Sequence, residues 1–313
     1  MSQRTIFVTG ATGATGGATV HQLLARGHHV RALAHRRDER ADALEKAGAE
    51  VVFGDLLDFS AVRTLLSGAQ AAYFVYPIRP GILQATVQFA EAAREVGLDM
   101  IVNMSQISAR LDSKSHAARD HWLSERVFDW SGVPTAHLRP TFFAEWLLYL
   151  APMIRAGILH VPFGTGRHAP VTAEDQAAVI AAILGNPGDH GGQIYPLFGP
   201  TEMTYAEIAQ ILGRELNRLV DYRQVSFDSF MEMLGGADRK PPAQHTAAAM
   251  YGAFEGGAAS KPGDSFLAQH LREVVLDHQN GLFAGTNDLV RTIGGREPTT
   301  LEAFVRQHRD SFV

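Results

Sequence analysis

Two rhythms of apolar and polar positions alternate along the first half of the chain. Short runs rich in β-branched, aromatic and small apolar residues stand at 5–9, 28–34, 50–53, 71–76, 100–105 and 135–139. Between them, at 14–26, 39–47, 60–67, 81–96 and 115–131, the pattern is helical. The first kind of run predicts strands and the second predicts helices. Strands alternating with helices predict a parallel sheet with right-handed crossovers, a doubly wound α/β fold of Rossmann type. Ligands bind at the carboxyl ends of the strands in such sheets. Residues near 10, 35, 55, 77, 105 and 140 are therefore expected to share one crevice.

After Pro140 the rhythm loosens. Segment 141–170 carries Phe142, Phe143, Trp146, Tyr149, Phe163 and three prolines, and reads as an irregular aromatic lining. Thr172 and Asp175 read as a capping box for an apolar helix over 173–184. A further strand is expected at 193–198, an amphipathic helix at 204–217, and a last helix at 298–311 with Pro298 near its start. Segment 235–263 is rich in Gly, Ala and Pro and reads as a loop with short helical pieces. No internal repeat is visible. The expected organisation is a cofactor-binding Rossmann domain from 1–152 and 171–198. Residues 153–170 and 199–313 are expected to form a small C-terminal α/β substrate domain.

Composition narrows the function. The chain has 313 residues, enough for one large α/β domain or two modest ones. A net charge of −5 leaves no basic footprint, so no nucleic acid partner is expected. The absence of cysteine excludes disulfides, thiolate chemistry and Cys-ligated zinc, and fits a cytoplasmic protein. The N-terminus reads as a strand rather than a signal peptide, and no run of about 18 apolar residues predicts a membrane span. The expected partner is a small-molecule substrate, acting on a monomer or homodimer.

The richest chemistry lies in residues 4–20, RTIFVTGATGATGGATV. An apolar strand leads into Gly10, Gly13 and Gly16, and a helix follows. In that context the first glycine allows a tight turn, the second lets backbone approach a pyrophosphate, and the third lets helix pack on strand. Thr12, Ala14 and Thr15 fill the same turn, and free N–H groups at the helix start point at the anion. The second strand ends in Leu33-Ala34-His35-Arg36-Arg37, where an NAD site usually has an Asp or Glu for the ribose 2′-OH. Arg36 and Arg37 suit a 2′-phosphate, with His35 against the adenine, so NADP(H) is expected rather than NAD(H). The competing reading of Arg37-Asp38-Glu39-Arg40 is a solvated, mixed-charge helix start. Asp55, followed by Leu56, is placed to accept from the adenine amino group or to cap the next helix. Tyr76, Pro77 and Ser105 end strands four and five and are expected to flank the nicotinamide.

With these pieces placed, the chain resembles the NmrA-like group of atypical short-chain dehydrogenases/reductases. The likeness rests on VTGATGATG at 8–16, GHHVRALAHR at 27–36, GDLLD at 54–58 and HWLSERVFDWSGVPTAHLRPTFFAEWL at 121–147. It extends to TYAEIAQILGREL at 204–216 and GTNDLVRTIGGREPTTLEAFVRQH at 285–308. The resemblance implies a Rossmann domain with a small substrate domain and a preference for NADP(H). It implies one of two activities: reduction of quinones, dyes and related conjugated molecules, or nucleotide sensing without turnover. One departure from the wider class matters. Where its members carry Tyr-x-x-x-Lys, this chain places Ala117 and His121. His121-x-x-x-Glu125 is the pattern of the NmrA-like group, and implies a His that hydrogen-bonds the ribose or donates a proton.

Other readings are weaker. His121 and Glu125 lie one turn apart, but a metal needs a third ligand and no HExxH pattern supplies one. The bland alternative for the pair is a surface contact, as for His116 and Asp120. Ser105 lacks a Gly-x-Ser-x-Gly elbow, which argues against a hydrolase. Tyr76 either replaces the missing tyrosine as proton source or forms a packing wall. Pro140 either fixes the turn beside the carboxamide or simply ends a strand. Phe142, Phe143 and Trp146 are candidate substrate contacts, with core packing as the alternative. The expected activity is hydride transfer from NADPH to a flat conjugated acceptor, such as a quinone, enone, azo compound or imine. A redox-sensing regulator is the alternative. An isomerase that recycles bound cofactor is disfavoured, since it too needs an acid/base pair.

Overall fold

The computed structural model describes residues 3–235 and 265–313. The chain runs β1 (Thr5–Val8), α1 (Ala14–Ala25), β2 (His29–Ala34), α2 (Glu39–Lys46), β3 (Glu50–Phe53), α3 (Phe59–Leu66), β4 (Ala71–Phe74) and α4 (Ile82–Val96). It continues through β5 (Met100–Met104), α5 (His116–Ser131), β6 (Thr135–Pro140), α6 (Trp146–Tyr149), α7 (Ala151–Arg155), β7 (Ile158–Val161) and α8 (Ala173–Gly185). Then come β8 (Ile194–Leu197), α9 (Tyr205–Leu216), β9 (Asp221–Gln224), α10 (Phe227–Gly235) and α11 (Phe266–Gln279). Three short helices close the chain: α12 (Leu289–Thr292), α13 (Leu301–Gln307) and α14 (Arg309–Phe312).

Seven strands form one parallel sheet in the order β3-β2-β1-β4-β5-β6-β8. The order reverses direction between β1 and β4, and an open parallel sheet binds its ligands at such a switch point. β4 (AAYF) and β5 (MIVNM) are buried at every position, because helices cover both faces. α1 packs on α8 on one face; α3, α4 and α5 pack together on the other. Phe7, Phe74, Phe89 and Phe128 meet edge-on or tilted under that second layer. Local signals set the helix ends. Asp38, Asp58, Ser115, Thr172 and Thr204 each accept a backbone N–H at a helix start.

A second apolar core gathers α6, α7, α9, β7 and the C-terminal helices around Phe163, Tyr205, Leu212, Phe230, Phe304 and Phe312. β7 and β9 form a separate two-stranded parallel sheet within it. Three expectations are corrected. Segment 141–170 is not wholly irregular, since it holds α6, α7 and β7. The last helix is broken at His308 into α13 and α14. Thr172 caps α8 alone, because the Asp175 carboxylate is taken by the backbone N–H and hydroxyl of Thr299, at 2.7 and 3.1 Å. The expected loop at 235–263 lies outside the described residues beyond 235.

Candidate active site

The turn after β1 is built to be empty of side chains. Thr9 Oγ1 donates to the Val75 carbonyl (3.1 Å) and accepts from the Val75 N–H (2.8 Å). That pair locks β1 to the end of β4 across the switch point. Gly10 sits at φ +58°, and a Cβ there would meet Val75 Cγ1 at 2.5 Å. A Cβ on Gly16 would lie 2.2 Å from the Gly10 carbonyl oxygen, so only glycine lets α1 start this close to the turn. Gly13 caps α1 without a side-chain partner, and no acidic residue stands in the first turn. The N–H groups that open α1 are thus left for an anion.

A cleft of about 500 Å³ extends from this turn over the ends of β2, β3 and β4. Gly10, Thr12, Gly13, Ala14, Thr15 and Gly16 line it at one end; His35, Arg36, Asp55 and Leu56 line it at the other. His35 Nε2 stands 3.9 Å from an Asp55 oxygen. Asp55 braces its own turn by accepting the Leu57 N–H at 2.9 Å, while the capping of α3 falls to Asp58. Arg36 is exposed and makes no ion pair among the described residues. Arg37 is turned elsewhere: it pairs with Asp42 (2.8 Å) and Glu45 (3.3 Å) and lies over the Phe53 ring. The cleft takes Arg40 in its place. Arg40 bonds Asp38 at 2.6 Å and reaches the Thr12 carbonyl at 3.4 Å. Arg79, over the ring of Tyr76 at 5.2 Å, adds another cation that the sequence pattern did not reveal.

Tyr76 and Pro77 line the far end of the cleft, and beyond them opens a smaller cavity of about 120 Å³. Val75, Tyr76, Met104 and Phe143 line both spaces, so the two share a wall. Ser105, His121, Pro140, Phe142, Phe143 and Trp146 all line the inner cavity. The structure therefore brings together every sequence-derived site residue except Arg37. Phe142 stacks on Phe283 at 4.7 Å and meets His168 and His278 edge-on, so it serves packing as well as lining.

His121 and Glu125 are not a surface pair, for both are buried. Nor do they act as one unit. Glu125 is held by Arg139 through two hydrogen bonds, of 2.8 and 2.5 Å. His121 instead faces the cavity, where burial pushes it down to about 4 against the weaker pull of Glu125. It is neutral at neutral pH and carries no surplus proton to give. His270 from α11 lines the same cavity; burial, and then His121, push it down to about 3. Its Nδ1 lies 2.8 Å from Ser115 Oγ. His116 is exposed and Asp120 half-buried, as a separate pair would be. Among the described residues no cluster of His, Asp or Glu could hold a metal.

Several lining residues escaped the sequence reading. α11 supplies His270, Leu271, Val274 and Val275. Its apolar spacing was legible (Leu267, Leu271, Val274, Val275), but the Gly/Pro-rich run before it masked its start. Gln106 and Glu145 also line the cavity. Glu145 had a visible signal, a lone acid in the aromatic run FFAEW.

Known proteins bear on this site. The sequence profile of the NmrA-like family matches residues 2–275. The NAD(P)H azoreductase of Xenophilus azovorans is 27% identical over 310 residues, covering 98% of this chain and 99% of that protein. A (4-alkanoyl-5-oxo-2,5-dihydrofuran-3-yl)methyl phosphate reductase of Streptomyces griseus is 34% identical over 228 residues, 72% of this chain and 78% of its own length. Among solved structures, an NADPH-dependent quinone oxidoreductase of Escherichia coli in complex with NADPH superposes with a TM-score of 0.79. That match covers 97% of this chain and 99% of the other at 23% identity, and so speaks to the fold.

Proposed function

The chain belongs to the NmrA-like family, and on that footing we propose that it is an NADPH-dependent reductase that passes hydride to a flat conjugated small molecule. The observation that carries this reading is the shared wall. An apolar cavity lies against the far end of a dinucleotide-sized cleft, with Tyr76, Met104 and Phe143 between them. A substrate in the inner space would lie beside a nicotinamide in the outer one.

The residues present fit NADP(H). Gly10, Gly13 and Gly16 keep side chains out of the pyrophosphate turn, where a Cβ would collide with the Val75 side chain at Gly10 and with backbone at Gly16, and would crowd the Gly10 carbonyl at Gly13. Arg36 is free to meet a 2′-phosphate, and Arg40 lines the same cleft. When bound, the cofactor supplies the hydride. The chain's own groups position and shield. His121, neutral, offers one hydrogen bond to the ribose side, while Tyr76 and Pro77 wall the nicotinamide end. Phe142, Phe143 and Trp146 exclude water from the acceptor. In this reading residues 1–152 and 171–198 carry the cofactor, and 153–170 with 199–313 carry much of the substrate wall.

Ala117 supplies no phenol, so the usual tyrosine route from carbonyl to alcohol is missing. A conjugated acceptor spreads the negative charge that hydride brings and needs less acid help. The missing tyrosine also motivates a second reading, a sensor that binds the nucleotide without turnover. The inner cavity weighs against it, since a sensor needs no space beside the nicotinamide. Steady-state NADPH oxidation against quinones, enones and azo compounds separates the two. Turnover with at least one acceptor class is expected. Tight NADPH binding with no oxidation by any acceptor would favour the sensor.

A further inference from the structure

Four buried side-chain atoms without a hydrogen-bond partner surround the inner cavity: Tyr76 Oη, Ser105 Oγ, Gln106 Nε2 and Glu145 Oε2. Buried polar atoms are nearly always paired, so four around one space mark a place where a ligand completes the bonding. Tyr76 also borders the cofactor cleft, whereas Ser105, Gln106 and Glu145 face only the inner cavity. A hydroxyl and an amide N–H are donors, so the ligand must present an acceptor atom. We propose that this atom is the oxygen of a conjugated carbonyl compound, a quinone or an enone, that Ser105 and Gln106 hold it, and that Glu145 is the proton donor of the reduction. This rests on the reductase reading above and narrows its substrate class.

Glu145 is set for the role by its place between α6 and α8. Oε1 accepts the Ala173 N–H at 2.8 Å, which leaves Oε2 as the free end. Burial raises its pKa to about 7, with Glu174 and Asp175 at the start of α8 adding to the rise. The backbone N–H bonds of Ala173 and Glu145 act the other way. His121 and His270 on the other walls are neutral at that pH and add no charge. Gln106 is held by Ser108, whose hydroxyl donates to Oε1 at 2.7 Å, so its NH2 is aimed rather than free to turn.

The step balances. The carbon conjugated with the carbonyl gains the hydride, and the displaced π pair moves to oxygen. The O–H bond at Glu145 Oε2 breaks, the proton joins that oxygen, and the bonding pair stays on the carboxylate. Solvent then returns one proton to Glu145. The sum is NADPH, one proton and the acceptor going to NADP+ and the dihydro compound.

The test measures kcat and KM with NADPH and a 1,4-naphthoquinone, from pH 5.5 to 8.5, on the wild type, E145Q and Q106L. In the wild type kcat is expected to be high in acid and to fall above about pH 7. E145Q keeps the acceptor for Ala173 and should lose about 100-fold in kcat at pH 6, together with that pH step. Q106L should raise KM more than it lowers kcat. Quenching of tryptophan fluorescence by the same quinone, without cofactor, gives a readout apart from turnover and should weaken in Q106L. An E145Q enzyme that folds, by circular dichroism, yet keeps the wild-type kcat and pH step overturns Glu145 as donor while leaving the reductase reading intact. Should E145Q fail to fold, a wild-type kcat that is flat across pH 7 overturns it equally. Wild-type turnover of azo compounds but of no carbonyl acceptor overturns the substrate class alone. No turnover with any acceptor defeats both readings.

Discussion

Arg139 on β6 grips Glu125 on α5 through two hydrogen bonds of 2.8 and 2.5 Å, one turn of helix away from His121. Glu125 has no exposure to solvent, so its charge depends on this fork and on Arg126 at 3.7 Å. Removing one partner of such a pair strands a buried charge, at a cost of about 3–5 kcal/mol. R139M is expected to lose about that much in urea-denaturation free energy, and R139M/E125L to recover much of it. A single variant as stable as wild type would show that the fork contributes little to the fold.

Gly16 tests the turn. Its Cβ would sit 2.2 Å from the Gly10 carbonyl oxygen, and backbone cannot step aside as a flexible side chain can. G16A should therefore push α1 away from the anion site and raise the Kd for NADPH at least about 10-fold, an effect of about 1.4 kcal/mol. Isothermal titration gives the value directly. Unchanged binding would show that the pyrophosphate lies elsewhere.

The two adjacent arginines should behave differently. Arg36 lines the cleft; Arg37 is engaged by Asp42 and Glu45. A hydrogen bond to a charged group contributes about 1.5–3 kcal/mol. R36A is thus expected to raise the NADPH KM about 10- to 100-fold while barely changing that for NADH. R37A should leave the NADPH/NADH ratio of kcat/KM near its wild-type value, and a large drop in that ratio would place the 2′-phosphate against Arg37.

Acid should unfold this protein early. His121, His270 and His278 are buried and held neutral, pushed down to about 4, 3 and 4. His168, hydrogen-bonded to His278 at 3.0 Å, is pushed down as well. Unfolding frees each to bind a proton near its ordinary value of about 6.5. Between about pH 6.5 and 4 the unfolded chain therefore holds more protons, so stability rises with pH and is lost as pH falls through that window. Urea midpoints taken across this range should drop steadily. H270Q should remove about one proton from the slope, and an unchanged slope would argue that His270 is protonated in the folded protein.

Much of this protein follows from local chemistry, and local chemistry was readable. The seven strands of the large sheet are short apolar runs set between helices, so their order along the chain exposed them. Gly10, Gly13 and Gly16 follow a strand and open a helix, which gives them meaning without any distant partner. Residues at the strand ends, such as His35, Asp55, Tyr76, Ser105 and Pro140, inherit a common crevice from topology alone. Other features depend on which surfaces meet. Whether Arg36 or Arg37 faces the cleft turns on Asp42 and Glu45 across the first turns of α2, which draw Arg37 away. His121 looked like a partner of Glu125 because they share a helix face, but Arg139 arrives from another strand and claims the carboxylate. Glu145 has ordinary acidity in a peptide; burial, helped by the charges of Asp175 and Glu174 at the start of α8, raises it. α11 reaches the cavity from far along the chain, and that contact has no trace in the residues near Gly10 or Pro140. The sequence alone determined the sheet and the dinucleotide turn, since strand rhythm and glycine spacing are properties of neighbours in the chain. Only the tertiary structure decided the walls, charge states and unpaired groups of the inner cavity, since burial and long-range pairing exist only once distant segments meet.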